Sequence, residues 1–131
     1  SPIMYSIEII PFGKDIITPF PKEYQTPAIQ NGLTTRACLL TKEEQSNINF
    51  ITESAVTWLE KYDGPQFDLA FEDTDHTYQT TRKILDLLIQ KVKLGGLIIS
   101  HDIGGGPVKE AWNDVFHNSL IIHGLGITIN E

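Results

Sequence analysis

The sequence predicts an α/β domain: a mostly parallel sheet with helices on both faces and an antiparallel pair of strands at its C-terminal edge. Three observations carry this expectation. Strand-like stretches alternate with amphipathic helical ones, an order that gives a largely parallel sheet covered by helices. Two of the strands finish in acids and histidines, in FDLAFEDTDHTY (67–78) and LGGLIISHDI (94–103). The last two strands follow one another too closely for a crossover, so they pair antiparallel.

The elements follow in order. Ile3–Ile10, IMYSIEII, alternates and is β-branched, so it reads as a strand ended by Pro11-Phe12-Gly13. Pro19, Pro21 and Pro27 break any long helix, and Asn31-Gly32 marks a turn. The Pro-rich stretch 18–27 reads as a lid or an insertion. Arg36–Leu40 is open between a short strand and a helix start. Thr41 followed by Glu44 matches a capping box and predicts a short helix over 42–46. Asn49–Thr52 is a short strand. Ser54 can cap a helix carrying Val56, Leu59 and Tyr62, which Asp63-Gly64-Pro65 stops. Phe67–Phe71 is a buried strand. From Thr77 a helix presents Ile84, Leu85, Leu87, Leu88 and Val92 as one apolar stripe, with Gly95-Gly96 as its stop and turn. Leu97–Ser100 is the next strand and Gly104–Pro107 a loop. Val108–Phe116 is a short helix with Val108, Ala111, Trp112 and Val115 on one side. Leu120–His123 and Gly126–Asn130 close the chain around Gly124.

Composition sets outer bounds. A chain of 131 residues is one domain, 1–131, large enough to bury a core without staples. Ten basic against 17 acidic residues, net charge −7, argue against a nucleic-acid surface. No apolar run reaches the roughly 20 residues needed to span a bilayer, so no membrane partner is expected. The single Cys38 excludes an internal disulfide and fits a reducing, cytoplasmic compartment. The start, SPIMYS, is not a signal peptide and opens almost inside a strand, which reads as a boundary within a larger protein.

Residues 48–131 resemble the later part of class I S-adenosylmethionine-dependent methyltransferases. The resemblance is to the small-molecule group whose fourth strand ends in an Asp-x-Asp-His-type sequence and whose fifth ends in His-Asp. The aromatic Tyr78 after the histidine, the long helix, the Gly-Gly turn and the strand ending HDI fall in the same order. Cephalosporin-hydroxylase-like proteins share this frame. The resemblance implies a Rossmann-like fold, the cofactor S-adenosylmethionine, a small-molecule acceptor and methyl transfer, with oxygen the expected acceptor atom. On the same frame IMYSIEII corresponds to the second strand, with Glu8 at the ribose hydroxyls. FITESAVTWL (50–59) corresponds to the third, with Glu53 and Ser54 beside the adenine. The family's first strand and its Gly-rich turn have no counterpart. The first strand is normally central, so its neighbours lose their shared partner. An N-terminally incomplete chain, replacement by another segment or a second copy in a homo-oligomer, and a degenerate relative are all open.

The chemistry gathers at the two strand ends. Asp73 and Asp102 are positioned to share a divalent ion such as Mg2+, with His101 or His76 completing the set. In the plainer alternative Asp73 caps the following helix and Asp102 bonds loop amides. Metal-dependent members often have Asn after the second Asp, where this chain has Ile103. His101 and His76 are the candidate bases for the acceptor proton; the resemblance equally places His76 at the adenine edge, with Asp73 also on the cofactor side. Successive strand residues alternate sides, so Glu72 points away from Asp73 and is expected to be solvated or ion-paired. Asp75 reads as a site residue or a helix cap. His117 and His123 lie away from the cluster. Trp112, Trp58 and Tyr78 read first as core. The rival function is a non-catalytic fragment or degenerate module that binds no cofactor; a hydroxylase-like, metal-dependent enzyme is the other.

Overall fold

The computed structural model describes residues 3–8 and 40–131. Cys38, the Pro-rich stretch 18–27, Asn31-Gly32 and most of Arg36–Leu40 lie outside the described residues, as do Ile9 and Ile10 of the first expected strand. The chain forms two compact units, Ser1–Ala55 and Val56–Glu131.

In the first unit β1 (Met4–Glu8) and β2 (Ile48–Thr52) pair in parallel, from Met4 opposite Ile48 to Glu8 opposite Thr52. Between them in sequence lies α1 (Lys42–Ser46). Its start is the capping box expected from Thr41 and Glu44. Glu44 N donates to Thr41 Oγ1 at 3.2 Å and Thr41 N to Glu44 Oε2 at 2.7 Å, which satisfies two amides that a helix start leaves unpaired.

The second unit contains α2 (Ala55–Lys61) from its second residue on, β3 (Phe67–Glu72), α3 (Tyr78–Lys91), β4 (Val92–Ser100), α4 (Gly106–Val115), β5 (Leu120–Ile122) and β6 (Leu125–Ile129). The sheet order is β3-β4-β6-β5, with β3 and β4 parallel and the other pairs antiparallel. The expected alternation and the antiparallel C-terminal edge are present. Among the described residues the strands form two sheets, β1 with β2 in the first unit and the four-stranded sheet in the second.

Register explains the core. Ala70, Ile98 and Thr128 are in line across the sheet, as are Glu72, Ser100 and Gly126. This face is covered by the apolar stripes of α3 and α4: Ile84, Leu85, Leu88, Val108, Ala111 and Trp112 are all buried against it with Ile98. Trp112 is fully buried and its Nε1 donates to Ser119 Oγ at 2.9 Å, so it is a core residue. Trp58, Tyr62 and Phe67 form an aromatic cluster with ring centroids 4.7–6.2 Å apart. The opposite face of the sheet carries the other parity, Leu69, Leu97 and Ile129 in one row and Phe71, Ile99 and Ile127 in the next.

Three expected boundaries are corrected. Gly95-Gly96 does not stop α3. The helix ends at Lys91, and β4 begins at once with Val92 and runs through both glycines. The register jumps there from Phe67↔Val92 to Leu69↔Leu97, a bulge that the φ of +82° at Gly95 permits. At Gly96 a Cβ would lie 2.6 Å from Val92 Cγ1 and 2.9 Å from the Asp68 carbonyl, so both glycines serve the bulge. The carbonyls near the end of α3 are met instead by Asn130, whose Nδ2 donates to Ile89 O at 2.9 Å and Val92 O at 2.7 Å. Second, α4 already begins at Gly106, within the expected loop. Third, the closing strands are joined by His123-Gly124, both at positive φ, the two-residue hairpin turn that matches strand twist.

Candidate active site

β3 and β4 are adjacent, parallel and in register at their carboxyl ends, Glu72 opposite Ser100. The ladder continues one step further, with His101 N donating to Glu72 O at 3.0 Å. The residues that follow each strand therefore emerge side by side. In an open α/β sheet this edge is where ligands are held.

Four side chains meet there. His76 Nε2 lies 3.2 Å from Asp73 Oδ1 and 2.9 Å from Asp102 Oδ2. His101 Nδ1 lies 3.5 Å from the same Asp73 oxygen and 3.2 Å from the same Asp102 oxygen. Two carboxylates are thus bridged by two imidazole nitrogens. All four side chains are 45–52% exposed, open to a ligand. Two carboxylates held side by side favour a positive centre between them.

Two of the four residues also take left-handed backbone, as does His123 in the closing hairpin turn. His76 has φ 60° and Asp102 φ 58°. Side-chain-bearing residues rarely adopt this left-handed region, and strained backbone collects at functional sites. Here it turns both side chains back toward one point. The loop that carries Asp102 is pinned by its neighbour. Ile103 is fully buried and its N–H donates to Gly124 O at 2.9 Å. The hydrophobe that stands where Asn was looked for is a core anchor.

The other acids separate by role. Asp75 holds the start of α3. Its Oδ1 accepts from Thr77 N at 3.1 Å and Thr77 Oγ1 at 2.9 Å, and its Oδ2 from Thr80 Oγ1 at 3.0 Å. These bonds, the Thr77 backbone amide first, hold its carboxyl below the usual carboxylate range. Thr77 is the N-cap, its side chain accepting from Thr80 N. The N-cap is therefore Thr77, and neither Asp75 nor Asp73 caps α3; Asp75 braces its start through Thr77 and Thr80. Glu72 corrects the sequence reading. It does point away from Asp73, but that side is the helix-covered one, and Glu72 is buried, bonded to Thr74 and Ser100. The nearby Ser100, falling on the strand's buried parity, was the available signal.

Glu8, Glu53 and Ser54 belong to the first unit. Glu8 ends β1, Glu53 follows β2, and Glu53 N donates to Glu8 O at 2.9 Å. The two acids are therefore brought to the carboxyl edge of one parallel pair, with Ser54 exposed just beyond. Tyr78, the aromatic after the histidine, donates its hydroxyl to Asp114 Oδ2 at 2.7 Å, which ties α3 to α4. His117 and His123 are exposed and take no part in the cluster.

As a possible metal site, Asp73, His76 and Asp102 each offer one ligand atom, all within 4.8 Å of one another. A single ion with bonds of ~2.0–2.5 Å can span that. Two carboxylate oxygens suit a hard ion such as magnesium or manganese, and the imidazole nitrogen shifts the preference toward a transition metal such as manganese. The residues present fit a divalent cation.

Comparison with solved structures places this architecture. A Klebsiella pneumoniae protein described as a putative O-methyltransferase superposes with a TM-score of 0.56 at 16% identity, over 73% of this chain and 56% of that one. The apo TDP-rhamnose 3'-O-methyltransferase of calicheamicin biosynthesis gives 0.51 at 11% identity, over 71% and 43%. At such identities the likeness is one of fold. The chain spans about half the length of these structures. Among curated proteins none is a significant match. Among the described residues no helix is long and apolar enough to cross a membrane. The family model described as a methyltransferase domain matches residues 15–103. That match takes in both strand ends and the whole Asp73–His76–His101–Asp102 cluster, and with it the chain belongs to the methyltransferase domain family.

Proposed function

We propose that this chain is part of an S-adenosylmethionine-dependent O-methyltransferase that acts on a small-molecule acceptor. The observation that carries the reading is the bridged pair of carboxylates at the carboxyl ends of two adjacent parallel strands, two of its four residues in left-handed backbone. Family membership and the O-methyltransferase folds nearby support it.

The residues divide the work as follows. Glu8 accepts the vicinal hydroxyls of the cofactor ribose, since one carboxylate has acceptor sites for both, and Glu53 and Ser54 border the adenine. Asp73, His76 and Asp102 would hold a divalent cation. His101 is the base. Its Nδ1 faces the carboxylates, which fixes the ring and the tautomer and presents Nε2 to the acceptor hydroxyl. When bound, S-adenosylmethionine supplies a methyl group activated by sulfonium charge. The metal, when bound, supplies Lewis-acid polarisation of the acceptor oxygen. The protein's own contribution is alignment and proton removal.

The test is calorimetric titration of the 131-residue chain with S-adenosylhomocysteine, with and without magnesium. Micromolar binding that Glu8→Ala abolishes supports the assignment. A folded sample with no binding overturns it for this chain and leaves the non-catalytic module.

A further inference from the structure

We propose that Glu72 is a positioning residue: a buried strut that sets the separation of the strand ends bearing Asp73 and Asp102. The proposal rests on the cation site described above. Glu72 is 4% exposed. Its Oε1 accepts from Thr74 N at 2.9 Å and Thr74 Oγ1 at 2.6 Å. Its Oε2 accepts from Ser100 Oγ at 2.5 Å, and its backbone carbonyl from His101 N at 3.0 Å.

The geometry gives these bonds a purpose beyond their own satisfaction. The ladder between β3 and β4 ends at this point, so the residues beyond it need another restraint. Asp73 lies between Glu72 and Thr74 in sequence, and the Thr74 bonds fold the chain back on Glu72, closing a tight loop around Asp73. On the other strand Ser100 and His101 lie just before Asp102, and both are tied to Glu72. One residue thus holds both halves of the cluster. The His76–Asp102 contact of 2.9 Å crosses from one half to the other and depends on that separation. A buried carboxylate whose hydrogen bonds come from neutral donors is costly to keep. An apolar residue would satisfy core packing at this parity, as Ala70 and Ile98 do in the adjoining row. Residues behind metal ligands commonly change metal affinity 10–100-fold when removed.

Two variants separate the strut from its charge. Glu72→Gln keeps an acceptor for Thr74, and its amide can donate to a rotated Ser100 hydroxyl, so the ties persist without the charge. Glu72→Leu fills space and removes the ties. The readouts are Mn2+ titration followed by electron paramagnetic resonance and, in metal-free protein, the imidazole 15N shifts of His76 and His101. Expected are a 10–100-fold loss of Mn2+ affinity in Glu72→Leu, recovery to within about threefold in Glu72→Gln, and imidazole shifts displaced in the first and restored in the second. Unchanged affinity in Glu72→Leu, or an equal loss in both variants, would overturn the strut. If the unsubstituted chain takes up no Mn2+, the metal reading fails, and the imidazole shifts alone decide the strut: no displacement in Glu72→Leu overturns it. Should Glu72→Leu not fold, Ser100→Ala and Thr74→Val each cut one tie. Each is expected to displace the His76 shift, and no displacement in either overturns the proposal.

Discussion

The left-handed backbone at Asp102 predicts an inverted order of stability between glycine and alanine. At φ 58° an ordinary L side chain costs roughly 1–2 kcal/mol, whereas Asp and Asn offset part of this by local hydrogen bonding. Glycine escapes that cost but gives up about 0.5–1 kcal/mol more chain entropy than alanine on folding. Asp102→Gly and Asp102→Ala delete the same carboxylate, and with it the same contacts to His76 at 2.9 Å and His101 at 3.2 Å. Those losses cancel when the variants are compared with each other. What remains is the left-handed cost in the alanine protein less the entropy cost in the glycine protein. Asp102→Gly is therefore expected to be the more stable by up to about 1.5 kcal/mol, whereas in regular structure alanine would win. The assay is urea unfolding of both proteins by circular dichroism, with equal dependence on denaturant as the check that the unfolded states match. An alanine variant more stable than the glycine variant, as in regular structure, would refute the left-handed assignment and the argument that strain is held at this site. Asp102→Asn tolerates the backbone and is expected to keep stability near that of the parent while losing cation affinity.

Other predictions concern the scaffold. A Cβ at Gly126 would lie 2.7 Å from Trp112 and would also meet Ile103, so Gly126→Ala should cost about 1–3 kcal/mol by overpacking, visible as a lower melting temperature. Asn130→Leu removes the two bonds to Ile89 and Val92 carbonyls and should cost about 1–3 kcal/mol, read by urea midpoint; no loss would mean those carbonyls find other partners. Asp75 has a folded pKa below its unfolded value, first through the Thr77 amide. Its contribution is therefore present above the ordinary carboxylate pKa of about 3.9 and is lost as pH falls through the lower folded value. Asp75→Asn should weaken the protein near neutral pH and flatten the acid limb of its stability profile below about pH 4; an unchanged limb would sink the assignment. Asp68 is held low by Lys93 in the same way, but that exposed pair should contribute little to stability, and its pairing should weaken further in salt.

Much of the fold was legible because its signals are local. The Thr41–Glu44 capping box involves residues three apart, the α3 stripe repeats at helical spacing, and strand parity places Asp73 and Glu72 on opposite sides. These follow from the chain's own geometry. The acids and histidines of the candidate site were legible for a related reason: they follow apolar strands, and the ends of adjacent parallel strands converge.

Other features depended on distant partners. Whether Gly95-Gly96 ends a helix or opens a bulge was decided by Asn130 and by the close approach of Asp68, residues far away in the chain. Whether Asp73 or Asp75 holds α3 was decided by which carboxylate the loop turns toward Thr77 and which toward His76. The sequence alone determined that carboxylates and imidazoles would gather at one sheet edge, because residue type and strand period are read locally. Only the tertiary structure decided which acid faces a ligand and which is buried beneath it. Glu72 lies on the face that α3 and α4 cover, and its bond to Ser100 spans 28 positions. Burial of that kind is a property of packed layers and leaves little trace in any short stretch of sequence.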